Sequence, residues 1–198
     1  MKTVKRIVAD QSCGVIVDLQ AFLLAQIDKK LSTRIRTNTS HFIRLLNYFQ
    51  IPILVTLERP IERKGTLPND IARTLTDRTP TLEKNFFDLT KETTIRSHLA
   101  GLKRKQAVVV GSETDVCVLQ SCLGLMNLGH DVFVVEELIF SSTRNVAAAM
   151  ARMETEGAVF ISYKTLFYEL LESVDGNLHA DKMRESYGPF PADLPDAL

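Results

Sequence analysis

The stretch at 107–122, AVVVGSETDVCVLQSC, constrains this chain more than any other. Residues 107–110 form a short apolar run of β-branched character, which reads as a buried strand, and Gly111 breaks it. Ser112, Glu113, Thr114 and Asp115 favour turns and caps over strands. From Val116 to Leu128 the period becomes helical. Val118, Leu119, Cys122, Leu123, Leu125 and Met126 cover a broad apolar face, and Gly129 stands where a helix C-terminal glycine belongs. Cys117 thus falls in the first turn of a helix, just past the carboxyl end of a strand, where open α/β sheets carry their sites. Unpaired N–H groups at a helix start favour thiolate over thiol. The competing reading is a cysteine that is merely buried, as free cysteines commonly are.

The rest of the chain repeats the strand-to-helix alternation. Strands are expected at 14–19, 53–57, 107–110, 131–138 and 158–162. Helices are expected at 22–31, 32–50, 67–75, 90–102, 116–128, 145–156 and 165–174, with Asn145 capping the helix that Gly157 ends. Apolar strands alternating with helices predict an α/β fold, a mostly parallel sheet with helices on both faces. No linker or repeat divides the 198 residues, so one domain is expected, with 175–198 as a polar C-terminal tail.

Twenty-four basic residues balance 24 acidic ones, which argues against a nucleic-acid or anionic-membrane partner. No apolar run reaches the length of a membrane span, and the N-terminus lacks the pattern of a secretory signal. Three cysteines without metal-site spacing point to a reducing, cytoplasmic setting.

Two further segments can carry chemistry. Asp18 ends the first strand, where a carboxylate is costly unless it has a partner, a task, or a turn to cap. In TPTLEKNFFD, at 79–88, Lys84 stands beside paired aromatics that would partly desolvate it, although most lysines are exposed. The loop at 58–65, ERPIERKG, contains no histidine, and its charges are expected to be solvated.

Taken together, VDLQ (17–20), EKNFFD (83–88) and GSETDVCVLQS (111–121) resemble the isochorismatase-like cysteine hydrolases, and the likeness extends over about 13–174. The resemblance implies a Rossmann-like three-layer sandwich and an Asp18–Lys84–Cys117 triad. In it Cys117 is the nucleophile, Asp18 the proton carrier, and Lys84 the cation that holds Asp18 and favours the thiolate. It also implies an oxyanion hole from the backbone N–H groups of Glu113 and Cys117, and a cis peptide between Ser112 and Glu113. Gln20, Phe22, Phe86, Phe87 and Ser141 are candidates by position for binding a small-molecule substrate, and a homo-oligomer is expected. The Asp-x-His pattern of metal-dependent nicotinamidases is missing after the second strand, so neither a metal nor any other cofactor is expected. The chain looks most like small, metal-free members of unassigned specificity, hydrolysing a small amide or related molecule through a thioester. The alternative is a catalytically silent member that serves as an oligomeric interaction module.

Overall fold

The computed structural model describes residues 4–143 and 145–173. The expected tail at 175–198 lies outside them. Six strands, β1 (Ser12–Val17), β2 (Ile53–Glu58), β3 (Thr81–Lys84), β4 (Gln106–Ser112), β5 (Asp131–Phe140) and β6 (Val159–Ile161), form one sheet in the order β3-β2-β1-β4-β5-β6. Every neighbouring pair is parallel. The chain runs outward in one direction from β1 and in the other from β4. These two central strands therefore define a topological switch point, with a crevice at their carboxyl ends.

Alternate strand residues feed two cores, as the pleat requires. Ile16, Val55, Val108, Val110 and Phe133 pack with Phe42, Ile43 and Leu46 of α2 (Lys29–Tyr48) and Leu166 and Leu170 of α8 (Tyr163–Leu171). Val15, Val17, Leu54, Val109 and Val134 pack on the other face. Their partners are Ile95 and Leu99 of α5 (Thr93–Leu102), Cys122 and Leu125 of α6 (Leu119–Asn127) and Met153 of α7 (Ala147–Glu156). This is the expected Rossmann-like sandwich. Three short helices complete the description: α1 (Ala21–Leu24), α3 (Ile61–Lys64) and α4 (Asn69–Ala72). Among the described residues no helix is long and apolar enough to cross a membrane.

Four local readings are corrected. β3 is a sixth strand at a place where none is expected, because pairing with β2 supplies the order that its polar sequence TLEK does not. The helix expected at 22–31 stops at Leu24, and Asp28 caps α2 by accepting from the N–H groups of Lys30 and Leu31. Asn145 does not cap α7, whose N-cap is Val146. Cys117 lies not in a regular first turn but in a π-helical turn, Thr114–Val118, that precedes α6.

Candidate active site

Strand register brings the chemistry-bearing residues to one edge. Val17 pairs with Thr56 on one side and Gly111 on the other, and Glu58 pairs with Lys84. Asp18, Glu58, Lys84 and the turn after Ser112 therefore leave the sheet side by side. Gly111, at φ 124°, is required here: a Cβ would fall on the backbone of Val17 in the neighbouring strand.

Asp18 adopts a left-handed conformation, φ 48°, uncommon for a residue with a side chain. Its N–H donates to the Thr56 carbonyl (3.1 Å), and its carbonyl accepts from Ser112 Oγ (2.8 Å). The carboxylate is fully buried. Oδ1 accepts from Thr56 Oγ1 (2.9 Å), and Oδ2 lies 2.6 Å from Lys84 Nζ. Lys84 is the one buried residue of an otherwise exposed or half-exposed strand, and its Nζ also donates to the Phe86 carbonyl (3.1 Å). That carbonyl is held in place through the next peptide. Ser121 Oγ on α6 donates to the Phe87 carbonyl and accepts from the Leu89 N–H, both at 3.2 Å.

Cys117 is 2% exposed, with its sulfur within 4.8 Å of a carboxylate oxygen of Asp18 and of Glu58. Burial, then the Asp18 carboxylate, pushes the thiol up to about 12, against the pull of Lys84. The expectation of a thiolate-favouring helix start is thus corrected: desolvation and a facing carboxylate outweigh the ammonium and the helix end, and the resting group is a thiol. Burial also raises the pKa of Asp18, overcoming Lys84 and the Thr56 hydroxyl, so its carboxylate is a stronger base than a free aspartate. Burial is the largest influence on Lys84 and lowers its basicity, but Asp18, Cys117 and Glu58 together restore more, and its pKa ends above the ordinary lysine value.

The π-helical turn gives Cys117 its second feature. The Glu113 carbonyl accepts from the N–H groups of both Val116 (3.1 Å) and Val118 (3.0 Å), passing over the one between. Among the described residues, the backbone N–H of Glu113 has no hydrogen-bond partner. The Ser112–Glu113 peptide is cis. The Glu113 carboxylate accepts from Ser141 Oγ (2.9 Å), Ser142 Oγ (2.9 Å) and the Ser142 N–H (3.3 Å), while Ser141 Oγ also lies 2.6 Å from Asp115 Oδ1. Ser141 therefore ties the loop after β5 to the turn.

The remaining binding candidates separate. Gln20 is buried, and both of its amide hydrogens are taken, by the carbonyls of Glu58 (3.1 Å) and Gly65 (2.7 Å), while Oε1 accepts from the Glu58 N–H (2.8 Å). It holds the loop at 58–65. The rings of Phe22, Phe86 and Phe87 are exposed, with the Arg63 guanidinium 6.0 Å from the Phe22 ring centroid.

Glu58 is the residue that sequence reasoning misses. The charges of its loop are not all solvated: the Glu58 and Lys64 side chains are 12% and 20% exposed and lie 2.9 Å apart. The Gln20 clamp draws the loop back onto the sheet, and this is the physical reason. The available signal was a carboxylate ending a second apolar strand, the pattern that singled out Asp18. Among the described residues, Asp18, Glu58 and Cys117 are the one group of donors close enough to share a metal ion. Each carboxylate already faces an ammonium, at 2.6 and 2.9 Å, so a divalent cation would have to displace both lysines. The donor set fits a charge-balanced hydrolytic site better than a metal centre.

Residues 12–165 match the family model described as the isochorismatase domain, a span that includes Asp18, Lys84 and Cys117. A curated relative, the secreted isochorismatase effector Isc1 of Phytophthora sojae, is 28% identical over 173 residues, covering 85% of this chain and 81% of that protein. Two solved structures share the fold. One is the YcaC gene product of Escherichia coli, described as an octameric hydrolase of unknown specificity, with TM-score 0.85, 21% identity, and coverage of 100% of this chain and 95% of that one. The other is the MAR1 ribonuclease of Caenorhabditis elegans, with TM-score 0.82, 24% identity, and coverage of 96% and 98%.

Proposed function

The chain belongs to the isochorismatase family of hydrolases, and from that premise we propose that it is a cysteine hydrolase acting on a small amide or a related small molecule. The observation that carries the reading is the buried Asp18–Lys84 pair beside the Cys117 thiol at the switch point of the sheet. Asp18 takes the thiol proton as sulfur attacks the substrate carbonyl carbon, forming a carbon–sulfur bond. The developing oxyanion is received by the backbone N–H groups of Glu113 and Cys117. Protonated Asp18 returns its proton to the departing amine, leaving a thioester. Water then loses a proton to Asp18 and attacks the thioester; the acid departs, and the proton returns to sulfur. Lys84 remains an ammonium throughout and keeps the carboxylate oriented.

The test is intact-protein mass spectrometry during turnover of an amide found by library screening. An acyl adduct on the native protein, lost with turnover in Cys117→Ala and Cys117→Ser, is the expected result. Comparable turnover by Cys117→Ala with no adduct on the native protein refutes it. One observation favours a second reading, a silent member retained as an interaction module: a 2%-exposed thiol with a pKa near 12 is a poor free nucleophile. That reading predicts no adduct with any member of the library. We further propose a homo-oligomer, in keeping with the octameric description of the YcaC neighbour, and a cytoplasmic location, in keeping with three free, buried thiols.

A further inference from the structure

Glu58 plays no part in the triad, yet its carboxylate stands against it. One of its oxygens, one of Asp18 and the Cys117 sulfur lie within 4.8 Å of one another. The cluster is graded in depth. Asp18 and Lys84 are fully buried and Cys117 is nearly so, whereas the Glu58 and Lys64 side chains keep 12% and 20% of their exposure. Glu58 and Lys64 are therefore more open to solvent than the three triad residues they adjoin. The carboxylate is also held in place. Oε2 is paired with Lys64 at 2.9 Å, and the Gln20 amide fixes the backbone at Glu58 and at Gly65, directly after Lys64. Among the described residues, Oε1 accepts no hydrogen bond. An ionised carboxylate only accepts, so what it lacks is a donor.

We propose that Glu58 is a specificity-determining residue: its free oxygen accepts from an N–H2 or ammonium group next to the carbonyl that Cys117 attacks. The site then takes neutral primary amides and cationic acyl donors, and rejects molecules with a carboxylate at that position. Lys64 cannot rescue such an anion without releasing Glu58, which would leave a half-buried carboxylate unpaired. The inference rests on the cysteine-hydrolase reading, since it needs Cys117 to be the reacting atom.

Two size-matched reagents separate charge from access. Iodoacetamide carries an N–H2 group and no charge, whereas iodoacetate carries a carboxylate. Each alkylates a thiol by forming a sulfur–carbon bond and expelling iodide, the thiol proton going to solvent or Asp18. Second-order rates at Cys117 are read by peptide mass spectrometry at one pH, with glutathione as the free-thiol reference. The native protein should prefer iodoacetamide more strongly than glutathione does. Glu58→Gln should reduce that preference on the order of tenfold, the scale of one partly neutralised charge a few ångströms away at an effective dielectric constant of about 20. Lys64→Met, which leaves Glu58 uncompensated, should increase it. Any change in thiol pKa cancels in the ratio of the two rates. An unchanged ratio in both variants, with Cys117 still alkylated, overturns the role of Glu58 and leaves the nucleophile standing. Failure of iodoacetamide as well as iodoacetate to modify Cys117 in the native protein overturns both readings.

Discussion

Replacing Asp18 by Asn should separate the two consequences of its charge. In the proposed mechanism Asp18 is the base, and after burial it is the largest influence holding the Cys117 proton on. With a carboxylate oxygen within 4.8 Å of the sulfur, the repulsion between carboxylate and thiolate is about 3–4 kcal/mol at an effective dielectric constant of about 20, or roughly 2–3 pKa units. Asn removes it and frees Lys84 to face sulfur alone. The thiol should therefore titrate near 9–10 instead of about 12. At a pH of about 8 this raises the thiolate fraction roughly 100- to 1,000-fold. Because nucleophilicity falls with basicity, alkylation should accelerate only about 10- to 50-fold. Amide turnover should collapse, since no group remains to carry the proton. The assays are thiolate absorbance against pH, iodoacetamide rate, and turnover of the screened amide. Folding is checked in parallel, because Lys84 loses its buried partner and breaking such a pair costs about 3–5 kcal/mol. Slower alkylation in a folded Asp18→Asn protein would refute the reasoning, since it would mean that Asp18 promotes the thiolate instead of suppressing it.

Three further outcomes follow from the geometry. Gly111→Ala places a Cβ on the Val17 backbone at a positive φ, and should cost about 4 kcal/mol or more in urea unfolding, or prevent folding altogether. Ser121→Ala leaves the buried Leu89 N–H without an acceptor and should cost about 1–3 kcal/mol, with turnover reduced because the segment bearing the Phe86 carbonyl loosens; Ser121→Thr should retain more of both. Burial is the largest single influence on Asp70 and opposes its ionisation, but the Arg36 hydrogen bond and charge, with the backbone N–H groups of Asp70 and Ile71, together lower its pKa below 3.8. Its stabilisation is therefore present above the unfolded value and is lost as pH falls through the folded one. With both side chains more than 40% exposed, Asp70→Asn should cost at most about 0.5 kcal/mol near pH 7 and nothing at a pH of about 2.

The layers and all the central strands were legible because each carries an apolar run bounded by turn formers, and Asp18 and Cys117 were legible because they end such a run or follow one. β3 was not, because TLEK has no apolar pattern of its own: its strand state comes from the backbone of β2. Lys84 was found through a motif, since nothing in its neighbours' polarity foretells complete burial. Glu58 was hidden for the opposite reason. It sits in a run of charges, and its partial burial depends on Gln20, thirty-eight residues earlier in the chain, reaching across the sheet edge. The thiol pKa was misjudged because helix position is visible in a sequence, whereas the desolvation that outweighs it is produced by tertiary packing.

The ammonium of the site hangs from an edge of the sheet. β3 is four residues long, lies at an edge, pairs with one neighbour and buries little besides Lys84 itself. Edge segments of this kind open by local fluctuation at a small fraction of the free energy needed to unfold a whole domain. Each opening withdraws Lys84 into water and strands Asp18 in the interior without its counter-charge, so the site comes apart while the cores on both faces of β1 and β4 stay intact. The grip of α6 on the 84–92 segment, through Ser121, therefore bears on the site more than on the two cores.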